Sequence, residues 1–256
     1  MDYHNTRDNT SWHKVGKWYN KSVGDSGHYF HQHVVLPGVI KLLGLKNNSS
    51  VLDLGCGQGV LARQLPKEIE YVGIDSAKSL ITFAKDRDPK QNHHYYEGDV
   101  TRPLPISKKD FTHAAIILAL QNLEKPDLAL FQASDHLISN GKLVIVLNHP
   151  CFRIPRLTSW EIDEKKKLQY RRIERYLSPI RIPITAHPSK GNHSPITWSF
   201  HYPLSSYVQF LRQAGFVIEA MEEWTSDKES EGRSAKMENR SRNEIPLFLA
   251  LLCSKK

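Results

Sequence analysis

The nine residues Val51-Leu52-Asp53-Leu54-Gly55-Cys56-Gly57-Gln58-Gly59 constrain this chain most: an apolar run of strand character passes directly into a loop carrying three glycines. Without a Cβ, the main chain of such a loop takes positive φ and approaches a ligand closely. A helix opening just after it turns unpaired N–H groups and the positive end of its dipole toward a carboxylate or phosphate. The combination predicts a nucleotide-type pocket. A second apolar run, 71–74, ends at Asp75, twenty residues beyond Gly55. An acid at that spacing takes the hydroxyl pair of a ribose. A dinucleotide fingerprint places its third glycine at position 60, where this chain has Val60. The Lys-Ser or Lys-Thr ending of a nucleotide-hydrolase phosphate loop is absent as well. The ligand that fits has a ribose and an anionic head but no pyrophosphate.

Periodicity organises the rest. Strands are expected over 51–54, 70–74, 93–97, 111–118 and 142–148, alternating with helices over 58–65, 76–87 and 124–139, a rhythm that makes a parallel sheet. Ahead of them, 12–19 and 28–43 show helical apolar recurrence and would lie over the pocket mouth. Residues 150–200 break the rhythm with Pro150, Pro155, Pro179, Pro183, Pro188 and Pro195, leaving one expected helix at 160–176; this reads as an inserted cap. A helix at 204–214, a strand at 216–224, a polar loop at 225–243 and a last strand at 246–253 follow. The expected fold is a single α/β domain, 1–256, built on a doubly wound, mostly parallel sheet of seven strands.

The glycine loop and Asp75 resemble the first two motifs of the class I S-adenosylmethionine-dependent methyltransferases. Glu97-Gly98-Asp99-Val100 resembles the third, Asp110-Phe111 with 114–120 the fourth strand, and Gly141 followed by 142–147 the fifth. The resemblance covers roughly residues 28–150. Asn148-His149-Pro150-Cys151-Phe152, the stretch 200–207 and Ala214-Gly215-Phe216 are similar to a branch that acts on small molecules. The resemblance implies a Rossmann-like fold with an antiparallel last strand and S-adenosyl-L-methionine as cofactor. It also implies a set of cofactor contacts: Asp53, Gly55, Cys56 and Gly57 at the amino-acid tail, Asp75 and Ser76 at the ribose, Asp99 and Val100 at the adenine, and Leu118 at the fourth strand's end. Trp18, Tyr19 and Tyr29 are expected to close over the sulfonium, whose positive charge favours aromatic faces. For Asp53 a structural cap, for Asp75 a helix N-cap, for Asp99 a turn and for Tyr19 helix packing are the competing readings.

Gln121 and Asn122 follow the fourth strand, on the edge where open α/β sheets bind ligands, and are expected to orient the acceptor. The Asn-Pro-Pro-aromatic signature of methyl transfer to exocyclic amino nitrogens is missing there. His149 is the expected general base if the acceptor is a hydroxyl, since imidazole titrates near neutrality; a histidine held in a Pro-terminated turn is the alternative. His28, His31, His33, His93 and His94 have no accompanying cysteine or paired carboxylate, so no metal site is expected.

The net charge of +8 favours a partner or substrate carrying negative charge. Much of the excess is local, from Arg153 to Arg181. The reading preferred is a cap closing on one small acidic or amphiphilic substrate, with methyl transfer by direct displacement. RNA or protein modification through the basic cap, and a non-catalytic S-adenosylmethionine-binding regulator, are the alternatives. No stretch approaches the ~18–20 apolar residues of a membrane span, and the first residues lack a basic n-region and an apolar core. With three scattered cysteines, a cytoplasmic location is expected. The oligomeric state is not set by the sequence.

Overall fold

The computed structural model describes residues 27–185 and 196–256 together with Gly16, Gly24 and Ser194. The expected helix at 12–19, with Tyr19, lies outside the described residues. The apolar runs form β1 (Ser50–Leu54), β2 (Glu70–Asp75), β3 (His93–Glu97), β4 (Phe111–Ile117) and β5 (Leu137–Asn148). Ahead of β1, a π-helical turn at His31–Val35 runs into α1 (Leu36–Leu43). Pro37 opens that helix and Gly44, left-handed at φ 55°, closes it. Between the strands lie α2 (Val60–Gln64), α3 (Lys78–Arg87) and α4 (Pro126–His136). After β5 come β6 (Thr158–Asp163), β7 (Leu168–Ile173), β8 (Ile180–Thr185) and β9 (Ile196–His201), then α5 (Leu204–Gln213), β10 (Phe216–Trp224), α6 (Ala235–Glu244) and β11 (Phe248–Lys255).

Seven strands make one sheet in the order β10-β11-β5-β4-β1-β2-β3. The first five pair in parallel, whereas β11 is antiparallel to both β5 and β10. Every residue of β1 is buried, as befits a central strand covered on both faces. On one face Leu52, Ile74, Ile116 and Leu143 pack with Leu130 of α4 and Leu211 of α5. On the other Val51, Tyr71, Ala115 and Val144 pack with Val39 of α1, Leu61 of α2 and Ile81 of α3. The strand order reverses between β1 and β4. Their C-terminal loops therefore diverge to opposite faces and leave a crevice, the usual ligand position in such sheets.

The expected helix at 160–176 does not form. Residues 158–173 make a hairpin in which Trp160 opposes Arg171 and Ile162 opposes Gln169, a period of two rather than 3.6. Lys167 takes the left-handed conformation at φ 52° that closes its turn. A second hairpin, β8–β9, follows. The expected loop 225–243 contains α6, which meets the first hairpin where the Ser241 hydroxyl donates to Gln169 Oε1 at 2.8 Å. β5 begins at Leu137, inside the expected helix 124–139, because α4 ends at His136.

Candidate functional site

The loop after β1 is tied to β2: the N–H groups of Gly55 and Cys56 both donate to the Ile74 carbonyl, at 2.8 and 3.1 Å. Gly55 sits at φ 79° and Gly57 at φ 56°. A Cβ built on Gly55 would stand 2.5 Å from the Cβ of Ala119, in the loop after β4, so this glycine lets the two loops of the crevice meet. A cavity of about 400 Å³ opens there. Among the residues expected to hold the cofactor, Gly55, Gly57, Asp75, Ser76, Asp99 and Val100 line it, as does Leu118. Gln121 and Asn122, expected to face the acceptor, line it too.

Asp75, at the tip of β2, accepts the Gly57 N–H on Oδ2 (3.0 Å) and the Ala77 N–H on Oδ1 (2.8 Å). It thus fixes the glycine loop and caps the turn into α3 while facing the cavity. Burial raises its pKa and these two donors oppose the rise. Asp99 is held by the Thr101 N–H at 2.9 Å and the Thr101 hydroxyl at 2.7 Å. Leu118, at the end of β4, takes φ 53°, a strained conformation for a side chain of this size. Its carbonyl accepts from Gln121 Nε2 (2.9 Å) and Asn122 Nδ2 (3.2 Å). The Gln121 amide is thereby oriented, and its Oε1 is buried without a partner.

Asp53 and Cys56 do not line this cavity. They border a side pocket of about 40 Å³ under the loop. Asp53 is 2% exposed; Tyr71 Oη donates to its Oδ2 at 2.7 Å, and its Oδ1 has no partner. Burial, only partly offset by the tyrosine, pushes its carboxyl up to about 7. A carboxyl whose folded-state pKa lies above its unfolded value binds its proton more tightly when folded. Stability is thus greatest below the unfolded pKa of about 4 and falls as pH rises toward 7, at about 1.4 kcal/mol per pH unit. Denaturant titrations should therefore show the stability of wild type relative to Asp53→Asn declining between pH 4.5 and 6.5; parallel curves would remove this assignment. Cys56 is buried, which raises its thiol pKa and keeps it unreactive.

His149 does not serve as the expected base. Its ring is 2% exposed and outside the cavity lining. Nδ1 accepts the Cys151 N–H at 3.2 Å, so in the neutral ring the proton is on Nε2, 2.8 Å from Glu223 Oε1. Both nitrogens are engaged and no lone pair faces the crevice, so the alternative of a histidine held in a turn is what the geometry supports. His28 and His31 do reach the cavity wall. Burial lowers both pKa values, that of His31 to about 4.

Arg153, Asn148 and Phe248 also line the cavity, and sequence reasoning did not single them out. The Arg153 N–H donates to the His149 carbonyl at 2.8 Å and its guanidinium to Asn148 Oδ1 at 3.1 Å. In the sequence Arg153 merged with the basic run that follows; its place five residues past the fifth strand was the available signal.

Comparison with known proteins finds similar chains and folds. Residues 52–145 match a methyltransferase domain family. The chain is 28% identical over 183 residues to a demethylmenaquinone methyltransferase of Chlamydia caviae, covering 70% of this chain and 74% of that protein. It is 25% identical over 190 residues to a 2-phytyl-1,4-naphtoquinone methyltransferase of Nostoc punctiforme, covering 70% and 76%. A crystal structure of an S-adenosylmethionine-dependent methyltransferase from Mesorhizobium loti superposes with a TM-score of 0.67 at 22% identity, covering 86% of this chain and 96% of that one.

Proposed function

Because the chain belongs to the class I S-adenosylmethionine-dependent methyltransferase superfamily, we propose that it methylates a small amphiphilic aromatic molecule of the quinone type, bound in the cavity between the loops after β1 and β4. The carrying observation is that one cavity joins two chemically distinct walls. One holds the Gly55–Gly57 loop and the carboxylates Asp75 and Asp99; the other holds Phe30 and Phe248 in contact, with Arg153 against Phe248 and bonded to Asn148. The first wall fits the cofactor, because a side chain at Gly55 would close the cradle and two acids stand at successive strand tips.

In this reading the Gly55 to Gly57 backbone takes the amino-acid tail, Asp75 and Ser76 the ribose, and Asp99 and Val100 the adenine, while Asp53 stays beneath the loop on the Tyr71 hydroxyl. When bound, S-adenosylmethionine supplies a methyl group already activated by the neighbouring sulfonium. The protein's own part is then alignment and exclusion of water, which contribute several kcal/mol. Gln121 and Asn122 both line the cavity and both are fixed through the Leu118 carbonyl. From the segment that follows β5, Arg153 reaches the cavity on the acceptor side. The relatives named for quinone methylation support this acceptor class.

Incubating the protein with methyl-labelled cofactor and a cell extract, then separating lipid, small-molecule, RNA and protein fractions, tests the reading. Label is expected in the lipid or small-molecule fraction. Label confined to RNA or protein would sink it in favour of a basic-cap reading, with Lys165 to Lys167 and Arg172 as the exposed contacts; cofactor binding with no transfer would favour a regulator.

A further inference from the structure

Resting on that methyl-transfer reading, we propose that Arg153 docks an anionic oxygen of the acceptor, a phenolate or hydroquinone monoanion, and so selects ionisable aromatic acceptors over neutral ones. Arg153 is held rather than mobile: its guanidinium donates to Asn148 Oδ1 at 3.1 Å and lies 5.4 Å from the centre of the Phe248 ring. Both partners line the same cavity as Gln121 and Asn122. Among the described residues no carboxylate pairs with it.

The charge that acts on it among the described residues makes matters worse. Arg171 donates from Nε to the Phe152 carbonyl (2.8 Å) and from Nη2 to the Thr158 hydroxyl (2.7 Å), with its guanidinium 5.2 Å from the Trp160 ring. It thereby pins the turn that carries Arg153 and adds a second positive charge instead of neutralising the first. A desolvated cation without a counter-charge is unfavourable in a folded protein. One fixed in a ligand cavity is accounted for when the ligand brings the anion, and guanidinium suits an oxygen acceptor through its fork of donors.

The same charge settles how an acceptor hydroxyl would lose its proton. His149 has no free lone pair, and His31, with a pKa near 4, is a weak base. Arg153 instead lowers the acceptor's own pKa by favouring its ionised form, so the proton passes to solvent on binding. An oxyanion conjugated with an aromatic ring also enriches that ring's carbons in electron density.

The test compares wild type with Arg153→Gln and Arg153→Lys, each saturated with S-adenosylhomocysteine. The probes are 1,4-naphthohydroquinone, kept reduced under anaerobic conditions, and 1,4-dimethoxynaphthalene, which cannot ionise. Calorimetry should show Arg153→Gln losing about 10- to 100-fold in affinity for the hydroquinone, the range of a hydrogen bond to a charged group. Affinity for the dimethoxy compound should hold, and Arg153→Lys should recover part of the loss. In wild type the heat of hydroquinone binding should vary with the buffer's ionisation enthalpy, reporting the released proton. Equal losses for both probes would assign Arg153 to packing on Phe248. Weakened S-adenosylhomocysteine binding in Arg153→Gln would assign it to the cofactor's carboxylate, and unchanged hydroquinone binding would leave it no role; each overturns the proposal while the quinone reading stands. Wild type binding neither probe would overturn both. Circular dichroism melts confirm that the variants are folded, and Arg153→Lys keeps the comparison usable if Arg153→Gln is not.

Discussion

Replacing Gly55 by Ala should remove measurable S-adenosylhomocysteine binding and lower the stability of the protein by about 2–4 kcal/mol, the range in which a left-handed β-carbon and an overpacked contact combine. Two separate penalties meet at this position. At φ 79° the new methyl meets its own backbone, and it would also stand 2.5 Å from the Cβ of Ala119. Relief of the second requires the loops after β1 and β4 to separate, and they form the two sides of the cavity. The double variant Gly55→Ala with Ala119→Gly separates the contributions, since it removes the clash but keeps the backbone strain. Partial recovery of both melting temperature and affinity is expected. A single Gly55→Ala variant that binds as tightly as wild type would show that the two loops do not enclose the ligand.

Asp75→Ala should weaken S-adenosylhomocysteine binding by about 1.5–3 kcal/mol, as loss of a charged hydrogen-bonding partner does. The carboxylate does more than meet a ligand: it holds the Gly57 and Ala77 N–H groups, and in the Ala variant both lose their acceptor. Some of the loss will therefore come from a loosened glycine loop. Asp75→Asn keeps one oxygen acceptor while removing the charge, and comparing the two variants by calorimetry divides loop support from ribose contact. Unchanged affinity in both would take Asp75 out of the binding site altogether.

The parts of this fold that were legible in the sequence are those where local pattern and burial agree. β3 falls at 93–97 and β10 at 216–224, as their composition predicts, and the sheet's central strands are continuous apolar runs because helices cover both faces. The hairpin at 158–173 was not legible as such. Its turn, Glu164 to Lys167, contains no glycine or asparagine, and a lysine takes the left-handed position that usually announces a hairpin. α6 was hidden for the opposite reason: it buries only Ser241 and so carries no apolar stripe. Within the site, Asp75 could be found because its spacing from the glycine loop fixes it to a strand tip, and Asp99 because Glu97-Gly98-Asp99-Val100 resembles a family motif. His149 and Arg153 could not be assigned from spacing. Four residues apart, one turns into a closed hydrogen-bonded pair with Glu223 and the other into the cavity, and only the path of the chain after β5 decides which.

The seating of β11 between β5 and β10 has a consequence for biogenesis. β5 leaves the ribosome long before its antiparallel neighbour, with the cap hairpins, α5, β10 and α6 synthesised in between. Throughout that interval the edge carrying Val144 and Val146 has no strand to satisfy its peptide groups, although both side chains end fully buried. Such an edge is a template for mispairing with other nascent chains. Pairing of 248–255 with β5, rather than completion of the β1–β4 half, is thus the step that covers this edge.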